Sequence, residues 1–251
     1  MAKLDLPGGL GHQSRVMLLS RLAVGAFVAA MIGILALAVR DVGLWTVPAL
    51  LVGWFLADAA SGLTHMIMDY RPCPSGRGLA QIYFYEGSRE SADYVQLRDA
   101  AMARIGPLDR LTYDFKNHHP RPDALGRRSV WRQIGSTVIV GTLPVSLLLL
   151  ALWAVVDLPS AVMAGGFSFL LGSAFAQYFH GTLHRDDNPR IVHVMRACRL
   201  LMTPAAHEKH HATLKQDFAT NCGWSNPVIN PLFRAAHRAG YLRDEGLEPH
   251  H

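Results

Sequence analysis

Long apolar runs alternate with long polar stretches along this chain, and the apolar runs come in two pairs. Leu22–Val39 is a stretch of eighteen residues without a charge, bounded by Arg21 and Arg40. As a helix it measures about 27 Å, close to the roughly 30 Å hydrocarbon thickness of a bilayer. Arg40-Asp41-Val42-Gly43 makes a short turn. The second run begins at Leu44, stays apolar to Ala57 and then turns polar, which predicts a span over 44–64. Ile134–Val156 is the third run and tolerates Pro144, as transmembrane helices do. Asp157-Leu158-Pro159 is the next turn, and 160–179, rich in Gly, Ala and Ser for close helix packing, is the fourth span. The pattern predicts an all-α membrane protein with four transmembrane helices.

The polar stretches complete the layout. Residues 1–21 read as an N-terminal tail without a signal-peptidase site, 22–226 as a single domain, and 227–251 as a C-terminal tail. Between the second and third spans, Tyr70–Gln133 is Arg-rich and broken by Pro72, Pro74, Pro107, Pro120 and Pro122; within it Arg89–Ile105 is patterned as a surface helix. Four spans put both tails and this loop on one side of the membrane. That side carries 23 of the 24 Lys and Arg, leaving Arg40 alone opposite. The loaded side is therefore expected to be cytoplasmic. Topology also accounts for the formal charge of +5, because no basic helix or aromatic-interleaved basic strip is present to bind nucleic acid. Cys73, Cys198 and Cys222 form no Cys-x-x-Cys pair, which argues against a disulfide framework or a thiolate zinc site.

Thirteen histidines change the picture. His12, His250 and His251 lie in the tails, and His193 and His237 stand alone as surface or packing residues. The other eight form four groups on the side read as cytoplasmic: His65, His118 with His119, His180 with His184, and His207 with His210 and His211. His207, His210 and His211 share one helical face, as do His180 and His184. Asp58, Ser61, His65 and Asp69 are spaced to stack along one face where the second span ends. A carboxylate near membrane depth costs on the order of 3 kcal/mol, so Asp58 should point into protein or a wet cavity. A helical cap rich in histidine is thus expected over the four spans.

One His-x-x-x-His pair is more often incidental than ligating; four groups gathered on one side are not. Eight imidazoles exceed the three or four protein ligands that one zinc takes and suit two metal ions with open positions. Neutral imidazole fits iron, copper or zinc, and the lack of sulfur argues against soft Cu(I) chemistry. Asp58, Asp69, Asp114 and Glu208 could orient ring N–H groups from outside the ligand set. His207-Glu208-x-x-His211 also fits a zinc protease with Glu208 as base, but that reading leaves His210 and five other grouped histidines unused. A bis-imidazole haem would want its histidines inside the bundle. Two irons with O₂ supply the oxidant needed to take hydrogen from an unactivated methylene of a lipid chain. Desaturation and hydroxylation begin alike, and a membrane metal-binding or regulatory protein without turnover is the non-enzyme alternative.

The motifs resemble those of the Kua/CarF-type membrane lipid desaturases, whose members include plasmanylethanolamine desaturase and the plastid palmitate desaturase. Asp58-Ala-Ala-Ser61-Gly62-Leu-Thr-His65 with Asp69, Phe115-Lys-Asn-His118-His119, Phe179-His180-Gly-Thr-Leu-His184, and His207-Glu-Lys-His210-His211 followed by Asn221-Cys-Gly223-Trp224-Ser-Asn226 stand in the family's order. The resemblance implies a di-iron, O₂-dependent desaturase acting on a phospholipid-attached chain, with electrons from a donor such as cytochrome b5 or a ferredoxin. It marks the eight grouped histidines as metal ligands and Asp58, Asp69 and Asn226 as their outer partners. Met66, Tyr70-Arg71-Pro72, Val130-Trp131-Arg132 and the long Pro72–Asp109 connection depart from the family pattern, at the expected substrate mouth rather than at the ligands.

Overall fold

The computed structural model describes residues 10–250, with side chains from Leu18 onward. Among them all regular structure is helical. In chain order the helices are α1 (Leu10–Ala38), α2 (Thr46–Tyr70), α3 (Leu79–Tyr83), α4 (Ala92–Ala103), α5 (Pro107–His118), α6 (Asp123–Gly126), α7 (Val130–Thr137), α8 (Leu143–Val156), α9 (Ser160–Ala174), α10 (Ala176–Thr182), α11 (Arg190–Ala197), α12 (Pro204–Thr213) and α13 (Asn226–Arg238). Three stretches are long and apolar enough to cross a membrane: Leu18–Ala38, Thr46–Tyr70 and Val130–Val156. Ser160–Ala174 with Ala176–Thr182 makes a fourth if the bent pair counts as one span. The chain is a multi-pass membrane protein of the predicted all-helical class.

The chain divides into two compact units, Met1–Ala57 with Ser129–Tyr178, and Asp58–Arg128 with Phe179–His251. In the first, Phe27, Met31 and Ile34 of α1 pack with Val138, Met163 and Leu170. Its outward residues are as apolar as its core: Ile32, Leu147, Leu148 and Val155 are all exposed. Water would penalise so large an apolar exterior, whereas lipid matches it. Close packing depends on missing side chains. A Cβ on Gly53 would lie 2.1 Å from the Gly165 carbonyl oxygen, so the contact between α2 and α9 tolerates no larger residue at Gly53.

Two spans depart from straight helices. Between α7 and α8, Val138–Thr142 forms a π-helical turn just before Pro144. Pro144 has no N–H for the carbonyl one turn back, and the wider turn absorbs the misfit. The fourth span, expected to be continuous over 160–179, bends by 52° between α9 and α10. The Gly172-Ser173 pair precedes the break, a sequence at which helices kink.

The second unit has two cores of its own. Met66, Tyr70, Phe218, Ala219, Ile229 and Phe233 form one. Leu79, Ile82, Tyr83, Tyr94, Ala101 and Tyr113 form the other, so the long 72–109 connection is a packed pair of helices rather than a loose loop. The surface helix expected over 89–105 is α4, capped by Ser91, whose hydroxyl accepts from the Tyr94 N–H. Residues 227–251, read as a tail, instead include α13, which buries Ile229 and Phe233.

Candidate metal centre

Each histidine group lies in the second unit, on or at the end of a helix. α2 runs unbroken through His65 and Asp69. α5 starts on Pro107 and ends with His118, placing His119 at its C-cap. α10 carries His180, and His184 follows its last turn. α12 starts with Thr203 as N-cap and Pro204 at its first position and ends at left-handed Leu214, so its ten residues hold His207, His210 and His211.

These elements sort the ligand atoms into two adjoining groups. One is His118, His180, His184, His207 and His211; the other is His65, Asp69, His119 and His210. Within each, the ligand atoms lie within 4.8 Å of one another. Chain neighbours separate: His118 and His119 go to different groups, as do His210 and His211. All eight predicted histidines are brought together, and Asp69 joins them, so the carboxylate read as an outer partner stands among the candidate ligand atoms.

The spacing inside the groups is that of ligands around an ion. The His207 Nε2 is 3.0 Å from His180 Nε2 and 3.2 Å from His211 Nε2, and His210 Nε2 is 3.3 Å from His119 Nε2. A metal–nitrogen distance of about 2.1 Å puts neighbouring ligand nitrogens about 3.0 Å apart at a right angle and about 3.4 Å apart at the tetrahedral angle. Backbone carbonyls fix which nitrogen faces inward. His65 Nδ1 donates to the Phe218 carbonyl and His210 Nδ1 to the Gln216 carbonyl, each at 2.9 Å, and His118 Nδ1 donates to the Phe115 carbonyl. A carbonyl can only accept, so each of these rings carries its proton on Nδ1 and aims the Nε2 lone pair into the cluster.

That arrangement sets lone pair against lone pair. The His65 and His210 Nε2 atoms stand 3.4 and 3.3 Å from Asp69 Oδ2, and His119 Nε2 stands 3.5 Å from Oδ1. The buried atoms His65 Nε2, both Asp69 oxygens, His118 Nε2 and His184 Nε2 have no hydrogen-bond partner. Each such atom costs about 1–3 kcal/mol, and together they rival the whole stability of an ordinary domain. A cation between them removes the conflict. Protons are poor candidates outside the membrane spans. Burial, reinforced by neighbouring imidazoles, holds His118, His119 and His207 well below the usual histidine range, and takes His184 to about 4 and His211 to about 3. Those rings are neutral near pH 7, as metal ligands must be. The donor set, eight imidazoles and one carboxylate with no thiolate, fits two ions of the iron, zinc or copper(II) kind.

The family model for the lipid desaturase domain matches residues 107–238, just over half of the chain. This chain belongs to the lipid desaturase family. It is therefore an oxidoreductase with a lipid substrate, and its histidine clusters are consistent with a metal site. No curated protein and no solved structure matches the chain. The match covers three of the four histidine groups and Asn226. Asp58, His65 and Asp69 lie outside it, and the geometry alone joins the last two to the desaturase cluster.

The remaining predicted residues hold the site together. The polar face of α2 zips against segment 214–225. Asp58 accepts from the Cys222, Gly223 and Ser225 N–H groups and the Ser225 hydroxyl at 2.7–2.9 Å, Ser61 Oγ accepts from Thr220 N–H, and the Tyr70 hydroxyl donates to the Leu214 carbonyl. Asp58 thus orients the loop rather than an imidazole. A Cβ on Gly62 would lie 2.5 Å from Ile229 Cδ1 and 3.0 Å from Ala219 Cα, so a side chain there would press on the segment that holds His65. Asn226 Oδ1 accepts from Ala219 N–H at 2.9 Å, beside the carbonyl that holds His65. Two other acids do not reach the cluster: Asp114 pairs with Arg128 at 3.1 Å, and Glu208 is exposed.

One residue of the site was not anticipated. Lys116 is fully buried, and its Nζ donates to the Met68 carbonyl at 3.2 Å and to the Asp69 carbonyl. It ties α5, two residues before His118, to the open carbonyls ending α2, where a cation is favoured. Burial draws its ammonium down to about 8, so it remains charged near neutrality. A lone lysine in a charged stretch gives no sequence signal of such a role.

Proposed function

We propose that this chain is a di-iron, O₂-dependent desaturase that introduces a double bond into a chain attached to a phospholipid, with plasmanyl-to-plasmenyl vinyl-ether formation as the specific reaction. His118, His180, His184, His207 and His211 would hold one iron, and His65, Asp69, His119 and His210 the other. The observation that carries the reading is the pairing of two adjoining nitrogen- and oxygen-only donor sets, each left with unpartnered buried atoms. Iron with O₂ supplies the oxidising power to break an unactivated C–H bond. The chain's own residues orient the ligand rings through backbone carbonyls and keep them neutral and largely out of water. The excess of Lys and Arg on one side of the spans supports a cytoplasmic site and cytoplasmic termini. Electrons would come from a small carrier such as cytochrome b5 or a ferredoxin.

Metal analysis and lipidomics test this together. The purified protein is expected to carry about two irons per chain; one zinc and no iron would sink the di-iron reading. Expression in a host supplied with ether and ester phospholipids, against a His184→Ala control, is expected to yield new vinyl ethers. New acyl double bonds would move the substrate to an ester-linked chain, new hydroxyls would make the enzyme a hydroxylase, and unchanged lipids would favour a non-catalytic metal protein.

A further inference from the structure

The second unit has an open cavity of about 480 Å³ between the α11–α12 connection and the segment 222–230. Its lining includes Arg196, Arg199 and Lys209 against a single carboxylate, Asp217. Asp217 accepts from the Asn230 amide at 3.0 Å and keeps its charge, so the lining holds three cations against one anion. Among the described residues none of the three cations is ion-paired. Arg196 spends its donors on the Met202 and Thr182 carbonyls and the Thr182 hydroxyl, which satisfies hydrogen bonds but leaves its charge uncompensated. Trp224 adds an aromatic wall. The cavity is electropositive.

Its position matters more than its charge. α12 presents Ala206 and Lys209 to this cavity while presenting His207 and His210 to the two candidate metal groups. The cavity and the candidate ligands are therefore carried by the same helix, with Lys209 and His210 adjacent in the chain and Ala206 one turn before His210. His207 and His210 are buried, while His119, His184 and His211 are partly exposed, so the rings open to their surroundings elsewhere. A lipid methylene must touch the centre, and the buried His207 and His210 give it no access along α12. An electron can cross it.

We propose that this cavity is the docking surface of a small acidic one-electron carrier protein that reduces the metal centre through α12. The inference rests on the desaturase reading, which fixes the need for a donor. Turning a –CH₂–CH₂– unit into –CH=CH– breaks two C–H bonds and forms one π bond, releasing two electrons and two protons. Reducing O₂ to two waters takes four of each, so two electrons come from the carrier and two protons from solvent. A cationic surface attracts an acidic partner and speeds encounter in a salt-dependent way, and redox encounters need only a small interface.

The test is anaerobic stopped-flow reduction of the oxidised, metal-loaded protein in lipid nanodiscs, with either reduced ferredoxin or dithionite. Arg199→Glu, Lys209→Glu and the double variant are expected to slow reduction by ferredoxin about tenfold or more at low salt, with dithionite rates within about twofold of wild type. The wild-type ferredoxin rate should fall with added salt, and the double variant should be nearly insensitive. Unchanged ferredoxin rates would overturn the proposal, as would equal losses with both reductants, which would place these residues in service of the centre itself. Weakened binding of phospholipid with normal ferredoxin rates would also overturn it and make the cavity a headgroup site. Failure of the desaturase reading is separately visible: the wild-type protein would accept electrons yet form no double bond when O₂ is admitted.

Discussion

His65 and Asn226 hold opposite ends of one peptide group. The carbonyl of Phe218 accepts from His65 Nδ1, and the N–H of the next residue, Ala219, donates to Asn226 Oδ1, both at 2.9 Å. Asn226 is thereby a positioning residue for an imidazole it does not touch. Asn226→Leu is expected to lower metal affinity or turnover by about 10–100-fold, the usual effect of losing an outer partner. Asn226→Asp keeps an acceptor and should recover much of the loss. Metal content with the absorption spectrum of the centre checks this, and a Leu variant with full metal and wild-type turnover would reduce Asn226 to a helix-starting residue.

Lys116 makes the corresponding link between α5 and α2. Lys116→Met fills the space without the charge and leaves the Met68 and Asp69 carbonyls short of a donor inside the fold. An unsatisfied buried acceptor costs about 1–3 kcal/mol, so the metal-free protein in detergent should unfold at a clearly lower temperature. Metal should be lost preferentially from the Asp69 group, to near half of the total content. An unchanged melting curve would show that the ammonium contributes nothing net.

Asp58 gives a third prediction, with a signature different from that of a ligand. Asp58→Ala deprives three loop N–H groups and the Ser225 hydroxyl of their acceptor. The loop from 221 to 226 should loosen, seen as faster amide exchange there, and stability should fall by about 3 kcal/mol or more. Asp58→Asn retains one acceptor oxygen and should be milder. Protection unchanged at residues 221–226 in the Ala variant would refute the clamp.

The difference between Asp58 and Asp69 marks where the sequence stops informing. Both are acids on one face of α2, and spacing alone treats them alike. What separates them is segment 207–225, which brings backbone N–H groups to Asp58 and His210 to Asp69, a long-range pairing with no local signal. The histidine groups were readable because helical spacing and membrane topology put them on one side before any contact was known. Lys116 was invisible because a single lysine among charges ordinarily means solvent. The bend before α10 depends on packing as much as on Gly172-Ser173. α13 could have been read: Ile229 and Phe233 repeat at i, i+4, a signal that Pro231 and the polar residues around it obscured.

His210 and Glu208 offer the sharpest separation of alternatives, because a zinc protease and a two-metal oxidase rank them oppositely. A protease built on His207, Glu208 and His211 needs Glu208 to take a proton from water and has no use for His210. In this chain Glu208 is exposed, while His210 is fully buried, donates from Nδ1 to the Gln216 carbonyl and directs Nε2 toward Asp69 and His119. His210→Ala is therefore expected to empty the Asp69 group and reduce desaturation by at least about a hundredfold, the upper range for a lost outer partner and a lower bound for a ligand. Glu208→Gln should stay within about twofold, as surface substitutions within ±0.5 kcal/mol do. Lipidomics and metal content on the two variants side by side decide the matter. Activity that survives His210→Ala but dies with Glu208→Gln would return the HEKHH stretch to a one-zinc hydrolase and undo the two-group reading.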